Sequence, residues 1–579
     1  MARICALRAS HLNAPTRPTR SALAVWLALA AGAAPVTLAQ VQPNAGSVLR
    51  GETQPRLAIP PKEAPGIKVD EPVRPAMKPS DDRFVLKRFL FSSNALIPDA
   101  ELHALVAPYT GREVGFADLE AAANRVTQHY RERGYLLARA YLPAQDIRDG
   151  AVEILVLEGR YGKVEIQNNS RVRDSVVKRH VDQHITPGAP AYALKLDREL
   201  LLLGDLPGVA AAHSVLRPGA NVGETDIRIE LTPSKLVTGT LEFDNHGNRF
   251  TGPHRVTGQV NVASPLGMGD LLSARVTKGF TGLDYGRVSY QAPVGGDGAR
   301  VGGAYTLSRY HLHGAAFNTA GIHGESHAWT VNASYPVVRA RDLNLMAQFA
   351  YDWRDFEDRT HSTGTLSEKK TQVAAATLSG DARDGLLGGG VNVFAVTYNA
   401  GTLDIRSPGQ LAADAVSARS NGRFGKWSVN ALRVQTLTER TQLYVALAAQ
   451  KANKNLDSSE KFILGGAQGV RAYPQGEAAG DSGVIGNAEW RYNASIESLP
   501  GVIQPFVFAD AGRVVVNTTP FIASPNRRDL AGAGAGISWS RSNDFQVKLT
   551  LARRLGSQPS TASDSDRKGR GWIYLSKQF

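Results

Sequence analysis

Cysteine is almost missing from this sequence. Of the 579 residues only Cys5 is a cysteine, and it lies within the first forty residues. A chain with so little thiol cannot rely on a disulfide framework, and it offers no set of thiolates to a catalyst or a metal. No His-Glu-x-x-His or other paired-histidine metal spacing occurs either. We therefore expect no metal site and no cofactor.

Long apolar runs are missing as well. No stretch of 18 consecutive apolar residues follows the amino terminus, which excludes a transmembrane α-helix. The start of the chain has arginines before the apolar run SALAVWLALAAGAA and a small-x-small cleavage site at Thr37-Leu38-Ala39. This pattern predicts that residues 1–39 are a secretory signal peptide. Export leaves two classes open, a soluble periplasmic or secreted protein and an outer-membrane β-barrel.

Clustered basic charge is also lacking, although the formal net charge is +13. The basic residues are interspersed with acidic ones, and no short Lys/Arg-rich tract appears. Nucleic-acid binding normally requires a concentrated basic patch or stripe. We expect no nucleic-acid partner.

Proline is abundant in one zone, residues 40–82. The stretch AGSVLRGE, part of residues 44–52, is long enough for about two helical turns. From Gln54 to Asp82 prolines recur too often for a helix or a strand, which predicts a semi-rigid linker.

Residues 83–234 have the pattern of two small α/β units, 83–160 and 161–234. Each unit reads strand, helix, helix, strand, strand. The second helix of the first unit has apolar residues at helical spacing and ends before Gly134. Those apolar residues are Phe116, Leu119, Ala123, Val126 and Tyr130.

Residues 235–579 change to alternation in segments of about ten residues, one face apolar or small and the other polar or charged. We predict a transmembrane β-barrel of about sixteen antiparallel strands, wide enough for an aqueous lumen. The final segment, WIYLSKQF, closes on Phe579, with Ile573 and Leu575 on the same face. The predicted strands begin near residues 235, 254, 269, 283, 299, 325, 341, 369, 391, 423, 441, 484, 503, 531, 544 and 570.

The zones of this sequence, taken together, resemble one known family of proteins. The stretch GYLLARAYLPAQDIRDGAVEILVLEGRYG and the stretch LDRELLLLGDLPG resemble the two POTRA domains of TpsB transporters. These are the ShlB/FhaC/HecB-like haemolysin secretion/activation proteins of two-partner secretion, in the superfamily that includes BamA. In the first stretch the resemblance rests on Gly134, Tyr135, Arg139, Ala140, Pro143, Gln145, Gly150, Glu158 and Gly159. The stretch AGSVLRGE resembles the short helix that plugs the family's barrel.

The glycine-rich stretch LGGAQGVRAYPQGEAAGDSG, residues 464–483, allows three interpretations. A phosphate-binding loop would need a helix after its last glycine, and none is predicted here. GDSG is weakly similar to a serine-protease nucleophile segment, but the candidate base His213 lies in a different predicted domain from Ser482. The third interpretation is a long loop, 452–483, that enters the lumen and places one arginine against a fixed partner.

The resemblance supports the third interpretation. It identifies the loop motif as Val470, Arg471 and Tyr473, and the partner motif on the barrel wall as Phe508, Asp510 and Gly512. Alternation places these wall residues on the lumen face, where a carboxylate is tolerated. An arginine fork binds such a carboxylate in bidentate fashion, as a lysine cannot. Ala472 stands where the family has glycine, and it would be strained if that position needed a positive φ.

The resemblance also implies the function. We expect an outer-membrane translocator whose periplasmic POTRA domains recognise an unfolded TpsA-type exoprotein, a haemolysin, adhesin or toxin, and pass it outward without ATP. We expect a monomer in outer-membrane lipid that is inserted by the barrel-assembly machinery, with Phe579 as its carboxy-terminal signal, and no catalytic residue. A BamA-like insertase, a solute porin and a secreted hydrolase are the alternatives.

Overall fold

The computed structural model describes residues 43–53, 57–61, 66–69, 82–135, 137–221, 223–562 and 566–579. The predicted signal peptide, 1–39, lies outside this range. Within it, no helix is both long enough and apolar enough to cross a membrane. The same residues contain no group of three or more histidine, cysteine or acidic side chains placed to hold a metal ion.

Two elements precede the first α/β unit. Helix α1 (Ala45–Thr53) lies inside the barrel, and strand β1 (Ile67–Val69) pairs with the second α/β unit. The prediction that no strand forms between Gln54 and Asp82 is therefore wrong at β1. Two prolines, Pro65 and Pro72, flank this short segment, and the edge that it joins supplies its hydrogen-bond partners.

The first α/β unit has a three-stranded sheet, β3–β6–β5, covered on one face by two helices. Helix α3 buries the predicted apolar side against this sheet because its apolar residues recur every three or four positions. A two-stranded ribbon, β2–β4, lies at its edge. The elements are β2 (Phe84–Val85), β3 (Arg88–Ser92), α2 (Asp99–Val106), β4 (Glu113–Val114), α3 (Phe116–Glu132), β5 (Arg139–Tyr141) and β6 (Ala151–Leu157).

The second unit repeats this order and has its own apolar core. Its strands form the sheet β8–β9–β7, and β1 joins that sheet as a fourth strand beside β8. The elements are β7 (Arg160–Asn168), α4 (Asp174–His184), α5 (Ala193–Gly204), β8 (Val209–Pro218) and β9 (Glu224–Pro233).

The rest of the chain forms a closed barrel of sixteen strands, all pairing antiparallel, with β10 against β27 at the closure. This confirms the predicted fold class, and every strand begins within four residues of its predicted start. The strands are β10 (Val237–Asp244), β11 (Arg255–Ala263), β12 (Leu271–Gly279), β13 (Leu283–Val294), β14 (Ala299–His311), β15 (Ile322–Arg339), β16 (Leu343–Thr360), β17 (Thr365–Asp384), β18 (Gly390–Ile405), β19 (Gly422–Thr436), β20 (Thr441–Ala452), β23 (Ser482–Tyr492), β24 (Val502–Val515), β25 (Arg527–Arg541), β26 (Phe545–Leu555) and β27 (Gly569–Gln578).

Two short helices and two short strands lie in the connections between the barrel strands. Helices α6 (Ala315–Ala320) and α7 (Pro408–Ala415) lie in two of them. Strands β21 (Phe462–Ile463) and β22 (Ala479–Gly480) pair with each other inside the long connection between β20 and β23.

Alternation along each strand separates an apolar outside from a polar inside. On β24, Val507 is 52% exposed on the outer surface, whereas the neighbouring lumen residue Asp510 is 2% exposed. Tryptophans such as Trp329, Trp427 and Trp490 also point outward. An outer surface of this kind suits lipid, which cannot hydrogen-bond to polar side chains.

The second α/β unit is fixed to one end of the barrel by charge-assisted hydrogen bonds. Arg341, in the turn after β15, donates from Nε to both carboxylate oxygens of Asp197 at 3.0 and 2.9 Å. Arg339 forms a two-pronged contact with Asp205 at 2.7 and 2.8 Å. These bidentate contacts define the orientation of the unit beneath the lumen.

Candidate functional site in the barrel lumen

The structure brings Arg471 and Asp510 together inside the lumen. Arg471 donates from Nε and Nη2 to the two carboxylate oxygens of Asp510, at 2.9 and 2.7 Å, and its backbone N–H also donates to Asp510 at 3.0 Å. The guanidinium lies 3.5 Å from the centre of the Phe508 ring. Two hydrogen bonds, a backbone contact and a cation–π contact together hold one arginine in one orientation.

Three residues that bind the Arg471–Asp510 pair were not predicted. Glu489 on β23 forms an ion pair with the remaining guanidinium nitrogen, and Asn487 donates to Asp510 at 2.7 Å. Trp572 on β27 donates from its indole to the Arg471 carbonyl at 2.8 Å. Asn487 and Glu489 alternate with apolar or small residues along VIGNAEWRYN, residues 484–493, so the sequence pattern assigns both to the polar face of their strand. Which of the lumen charges they would meet depends on strand register, which the sequence pattern does not contain.

The loop packs closely against two glycines of the barrel wall. A Cβ added at Gly532 on β25 would lie 2.5 Å from the Ala472 methyl, and one at Gly512 would lie 2.8 Å from Leu464. The strain expected at Ala472 does not occur, because its φ is not positive. The non-glycine residue with a positive φ in this loop is Ala478, with φ of 54°. Val470 and Tyr473 are fully buried, and the Tyr473 hydroxyl donates to the Gln558 carbonyl at 3.1 Å.

Two further carboxylates fix the rest of the loop to the connections β24–β25 and β26–β27. Glu477 accepts from Arg528 on β25 at 2.6 Å and from the Ala562 backbone at 2.7 Å. Asp481 binds Lys461 at 2.6 Å and accepts from the Thr518 backbone at 2.7 Å. The loop is thus anchored at several points along its length.

The serine-protease interpretation finds no support in the placement of its residues. Asp481 of the GDSG segment is engaged within the loop, and the adjacent Ser482 accepts from the Ala452 backbone at 3.1 Å. His213 lies on β8 of the second α/β unit, where it pairs with Glu230. The structure does not bring His213 and Ser482 into one site.

Helix α1 occupies the lumen beside this loop. Ala45 and Leu49 pack on lumen-facing aromatic residues, among them Tyr310 and Phe356. The backbone N–H of Ala45 donates to Asp358 on β16 at 2.8 Å, which places a carboxylate at the positive end of the helix.

Polar contacts attach α1 to both the wall and the loop. Glu52 forms an ion pair with Arg255 on β11, and Arg50 donates to Gln450 at 3.3 Å. On the loop side, Ser458 donates to the Asn44 side chain at 2.7 Å. Gly46 makes this approach possible, since a Cβ there would lie 2.9 Å from the side chain of Ser459.

The loop segment that meets α1 is itself tied to the wall. Lys369 on β17 binds Asp457 at 2.7 Å, and Lys426 on β19 binds Glu460 at 2.6 Å. Arg354 on β16 also donates to Glu460, at 2.7 Å. Wall, loop and helix therefore form one continuous polar network.

The space left in the lumen is a cavity of about 820 Å³. It lies between α1, the loop and the wall, and more basic than acidic side chains line it. Among the basic ones, Arg275 and Arg287 are directly opposite each other on β12 and β13. In the part of the chain that the structure describes, α1 and the loop 452–483 fill the lumen on either side of this cavity.

Comparison with known proteins identifies this arrangement. The family model described as haemolysin secretion/activation protein ShlB/FhaC/HecB matches residues 223–539, more than half of the chain. The chain belongs to the ShlB/FhaC/HecB family. A ShlB-type POTRA model matches residues 84–159, the first α/β unit.

Individual relatives agree with this assignment. The chain is 26% identical to the heme/hemopexin transporter protein HuxB of Haemophilus influenzae over 86% of this chain and 87% of that protein. It is 23% identical to the outer membrane transporter CdiB of Dickeya dadantii over 74% of this chain and 76% of that protein. The solved structure of CdiB from Escherichia coli has a TM-score of 0.68 and 19% identity, covering 94% of this chain and all of that one.

The protein is therefore an outer-membrane transporter of the two-partner secretion class. Its barrel lies in the outer membrane and its two POTRA domains lie in the periplasm. We call the first α/β unit POTRA 1 and the second POTRA 2. The BamA structure from Haemophilus ducreyi shares the fold alone, with a TM-score of 0.50 and 13% identity over 86% of this chain and all of that one.

Two residues of the POTRA 1 motif have clear structural roles. The Gln145 side chain both donates to the carbonyl of Glu153 at 2.8 Å and accepts from its N–H at 2.7 Å, so it acts like one residue of a neighbouring strand. The buried carboxylate of Glu158 accepts from the backbone of Ala95 and Leu96 and from the Tyr130 hydroxyl. Both residues shape POTRA 1.

Phe579 lies at the closure of the barrel. Its N–H donates to the Gly239 carbonyl and its carbonyl accepts from the Gly239 N–H, each at 3.1 Å. Its ring packs over Gly239, where a Cβ would lie 2.2 Å from it, and is 58% exposed on the outside. Lys577 forms an ion pair with Asp544 in a turn at the POTRA end of the barrel.

Proposed function

We propose that the transporter passes one extended exoprotein through a lumen that its own chain closes at rest. The observation that carries this proposal is the filling of the lumen by α1 and the loop 452–483. Both are bound by hydrogen bonds and ion pairs that can be exchanged, and a sixteen-stranded wall surrounds a wide aqueous space once they move. A diffusion porin needs no such segments and no periplasmic domains.

The roles of the separate parts follow from their positions. POTRA 1 and POTRA 2 offer sheet edges and helix–sheet grooves that bind an extended segment through main-chain hydrogen bonds. Arg471, Asp510 and Glu489 keep the loop tip fixed to the wall, while α1 is the element that leaves. Translocation draws on binding and on folding of the cargo outside, because no nucleotide-binding motif is present in the sequence.

The partner in this proposal is a TpsA-type exoprotein encoded beside the transporter. We further propose that the chain works as a monomer, that the barrel-assembly machinery inserts it with Phe579 as part of its signal, and that it catalyses no reaction. Relatives in its family are named transporters, which supports the last point.

Secretion of the neighbouring exoprotein tests the proposed function. Cells that produce the exoprotein with the intact transporter should release it into the medium or display it on the surface, and cells without the transporter should retain it in the periplasm. A variant that lacks the POTRA domains but still inserts its barrel is the control for nonspecific leakage. Equal release from all three strains would contradict the proposal.

A further inference from the structure

Two arginines face each other across neighbouring strands of the lumen wall. Arg275 on β12 is paired directly with Arg287 on β13. Side chains at directly paired positions on one face of a sheet have Cβ atoms about 5 Å apart, and like charges there are destabilising. Both side chains are half-buried and line the cavity of the lumen, so an anion can reach them.

The protein neutralises this pair of charges only weakly. Arg275 has one acidic neighbour among the described residues, Glu242 on β10, with 3.8 Å between its Nη2 and the carboxylate Oε2. Arg287 donates from Nη1 to the Thr306 hydroxyl at 2.9 Å, and no carboxylate of the described chain lies within ion-pair distance of it. The Arg275 Nε is buried and finds no hydrogen-bond partner in that same part of the chain. Two guanidinium groups therefore share one distant carboxylate, which leaves donors for a further anion.

A neighbouring arginine shows what such a group binds in this lumen. Arg255 on β11 donates from Nε to Asp244 on the adjacent strand at 2.9 Å, and it also forms an ion pair with Glu52 of α1. Glu52 is the only acidic residue of α1. The wall thus already holds one carboxylate from a segment that lies inside the lumen. Arg275 and Arg287 offer the same chemistry at a place that no such segment fills.

The arginine pair lies on the part of the wall that rises from POTRA 2. Strand β12 follows a turn in which the Gly267 carbonyl accepts from the Arg173 N–H of POTRA 2 at 2.9 Å. Strand β13 leads into a turn in which Asp297 binds His184 of POTRA 2. Arg275 comes four residues after the first residue of β12. This separation corresponds to about 13 Å along the strand, so a segment that enters the lumen from POTRA 2 meets the pair early on its path.

We propose that Arg275 and Arg287 form an anion-binding site in the lumen, and that acidic side chains of the passing exoprotein are its ligands. The site itself follows from the geometry of the wall, whereas its use by the exoprotein rests on the proposed function. Two guanidinium groups on adjacent strands can hold one carboxylate from two sides. The aqueous cavity keeps each contact weak, which suits a ligand that has to move on. In an open channel without cargo, small anions are the ligands of the same site.

Ion selectivity in planar lipid bilayers tests the site without any exoprotein. The reversal potential of the full-length protein in a potassium chloride gradient gives the ratio of chloride permeability to potassium permeability. Because arginines that line a pore favour anions, we expect this ratio to exceed one in the wild type and to fall about twofold in Arg275→Gln/Arg287→Gln. An unchanged ratio in this double variant would overturn the site.

Two further double variants serve as controls. Arg309 on β14 and Arg359 on β16 point away from the lumen, where each forms a partly exposed ion pair. Arg309→Gln/Arg359→Gln removes the same amount of charge and should leave the permeability ratio unchanged. Arg275→Lys/Arg287→Lys keeps both charges inside the lumen and should retain the preference for chloride. Loss of that preference in the lysine variant would show that the charges do not cause it, and would overturn the site as well.

An acidic peptide distinguishes a site for small anions from a site for carboxylates of a chain. Hexaglutamate, added on the POTRA side of the bilayer at millimolar concentration, should interrupt the wild-type current, and hexaglutamine should not. We expect the interruptions to become about fivefold rarer in Arg275→Gln/Arg287→Gln, because both charges that would hold the carboxylate are gone. Equal interruption of the wild type and this variant would overturn the assignment of carboxylates as ligands.

Secretion separates this inference from the proposed function. We expect Arg275→Gln/Arg287→Gln to secrete the exoprotein about threefold more slowly than the wild type, because weak contacts in a hydrated site change a barrier only modestly. Arg309→Gln/Arg359→Gln should secrete at the wild-type rate, with both rates normalised to barrel content in the membrane. Equal rates for the two variants would overturn the use of the site by the exoprotein. Absent secretion by the wild type would instead count against the proposed function, and the permeability ratio would still decide whether the anion site exists.

Discussion

At the scale of single residues, the fork between Arg471 and Asp510 joins the tip of the loop to the barrel wall. Asp510 receives three hydrogen bonds from Arg471 and one from Asn487, and Glu489 takes the last guanidinium nitrogen. Removing one member leaves a buried charge without its partner, which costs about 3–5 kcal/mol in a dry site and less in a hydrated lumen.

We therefore expect Arg471→Ala and Asp510→Ala each to lower secretion strongly, and the double variant to be no worse than the single ones. Arg471→Lys should fail to restore function because lysine cannot form the fork. Arg513→Ala is the matched control, since it breaks an ion pair with Asp529 that is half-exposed. Secretion from the set, normalised to barrel content in the membrane, is the measurement. Losses that add in the double variant would show that the pair does not act as a unit.

A second residue-scale prediction concerns His184 at the contact between POTRA 2 and the barrel. Its Nδ1 lies 2.7 Å from Glu199 on α5 and its Nε2 lies 2.9 Å from Asp297 in the turn after β13. The hydrogen bond to the Glu199 carboxylate raises the pKa of His184. Burial raises the pKa of Glu199, and it lowers the pKa of the neighbouring His180 to about 4, so that His180 stays neutral.

Because the folded pKa of His184 is raised, its contribution is fully present below the unfolded pKa, near 6.5, and is lost as the pH rises through the raised value. We expect hydrogen exchange of α4 and of the turn at Asp297 to be slower than in His184→Gln at pH 6. The difference should disappear at alkaline pH. A constant ratio between the two proteins at all pH values would mean that the charge on His184 does not stabilise this contact.

At the scale of elements, helix α1 contains two glycines that can be compared directly. A Cβ at Gly46 would lie 2.9 Å from Ser459, whereas one at Gly51 would meet nothing within 4 Å. Alanine favours a helix over glycine by about 1 kcal/mol at either position. Gly46→Ala adds a steric conflict with the loop to that gain, and Gly51→Ala does not.

We expect Gly46→Ala to raise the frequency of channel openings in planar lipid bilayers, and Gly51→Ala to leave it unchanged or lower it. Deletion of residues 40–54 should give a larger or steadier conductance than either. Identical traces for the intact and truncated proteins would mean that the loop alone closes the pore and that α1 is not the plug.

The sequence predicts the barrel strands well and β1 not at all, for a physical reason. Each barrel strand has one face toward lipid and one toward the aqueous lumen, so apolar and polar residues alternate along it. The position of each strand can therefore be predicted from neighbouring residues alone. Strand β1 has only three residues, and it is a strand because β8 offers it an edge. The lumen shows the same difference between local and long-range information. The motifs around Arg471 and Asp510 can be recognised in short stretches of sequence. Glu489 and Trp572 reach them only because of strand register and barrel closure, which no short stretch contains.

At the scale of the whole molecule, the POTRA domains are joined to the barrel by POTRA 2. The bidentate contacts of Arg339 and Arg341 reach Asp205 and Asp197 of POTRA 2. Each POTRA domain has its own apolar core, which is the minimum that a domain of this size needs to fold separately.

We expect residues 83–234 to fold when expressed alone and to bind the amino-terminal part of the exoprotein. A second fragment that starts at residue 64 retains β1 and should bind more weakly, because its POTRA 2 edge is filled. Titration calorimetry on the two fragments measures both effects, and circular dichroism establishes that each is folded. No binding by the folded shorter fragment at tens of micromolar cargo would move recognition to the barrel.

The strand that covers β8 also protects the transporter from its surroundings. A bare sheet edge is a template on which any extended chain can pair, and it promotes aggregation between neighbouring molecules. The periplasm through which unfolded exoproteins pass is a place where such pairing would be harmful. By keeping its own three residues on that edge, the protein shortens the stretch of β8 on which another chain could pair between rounds of export.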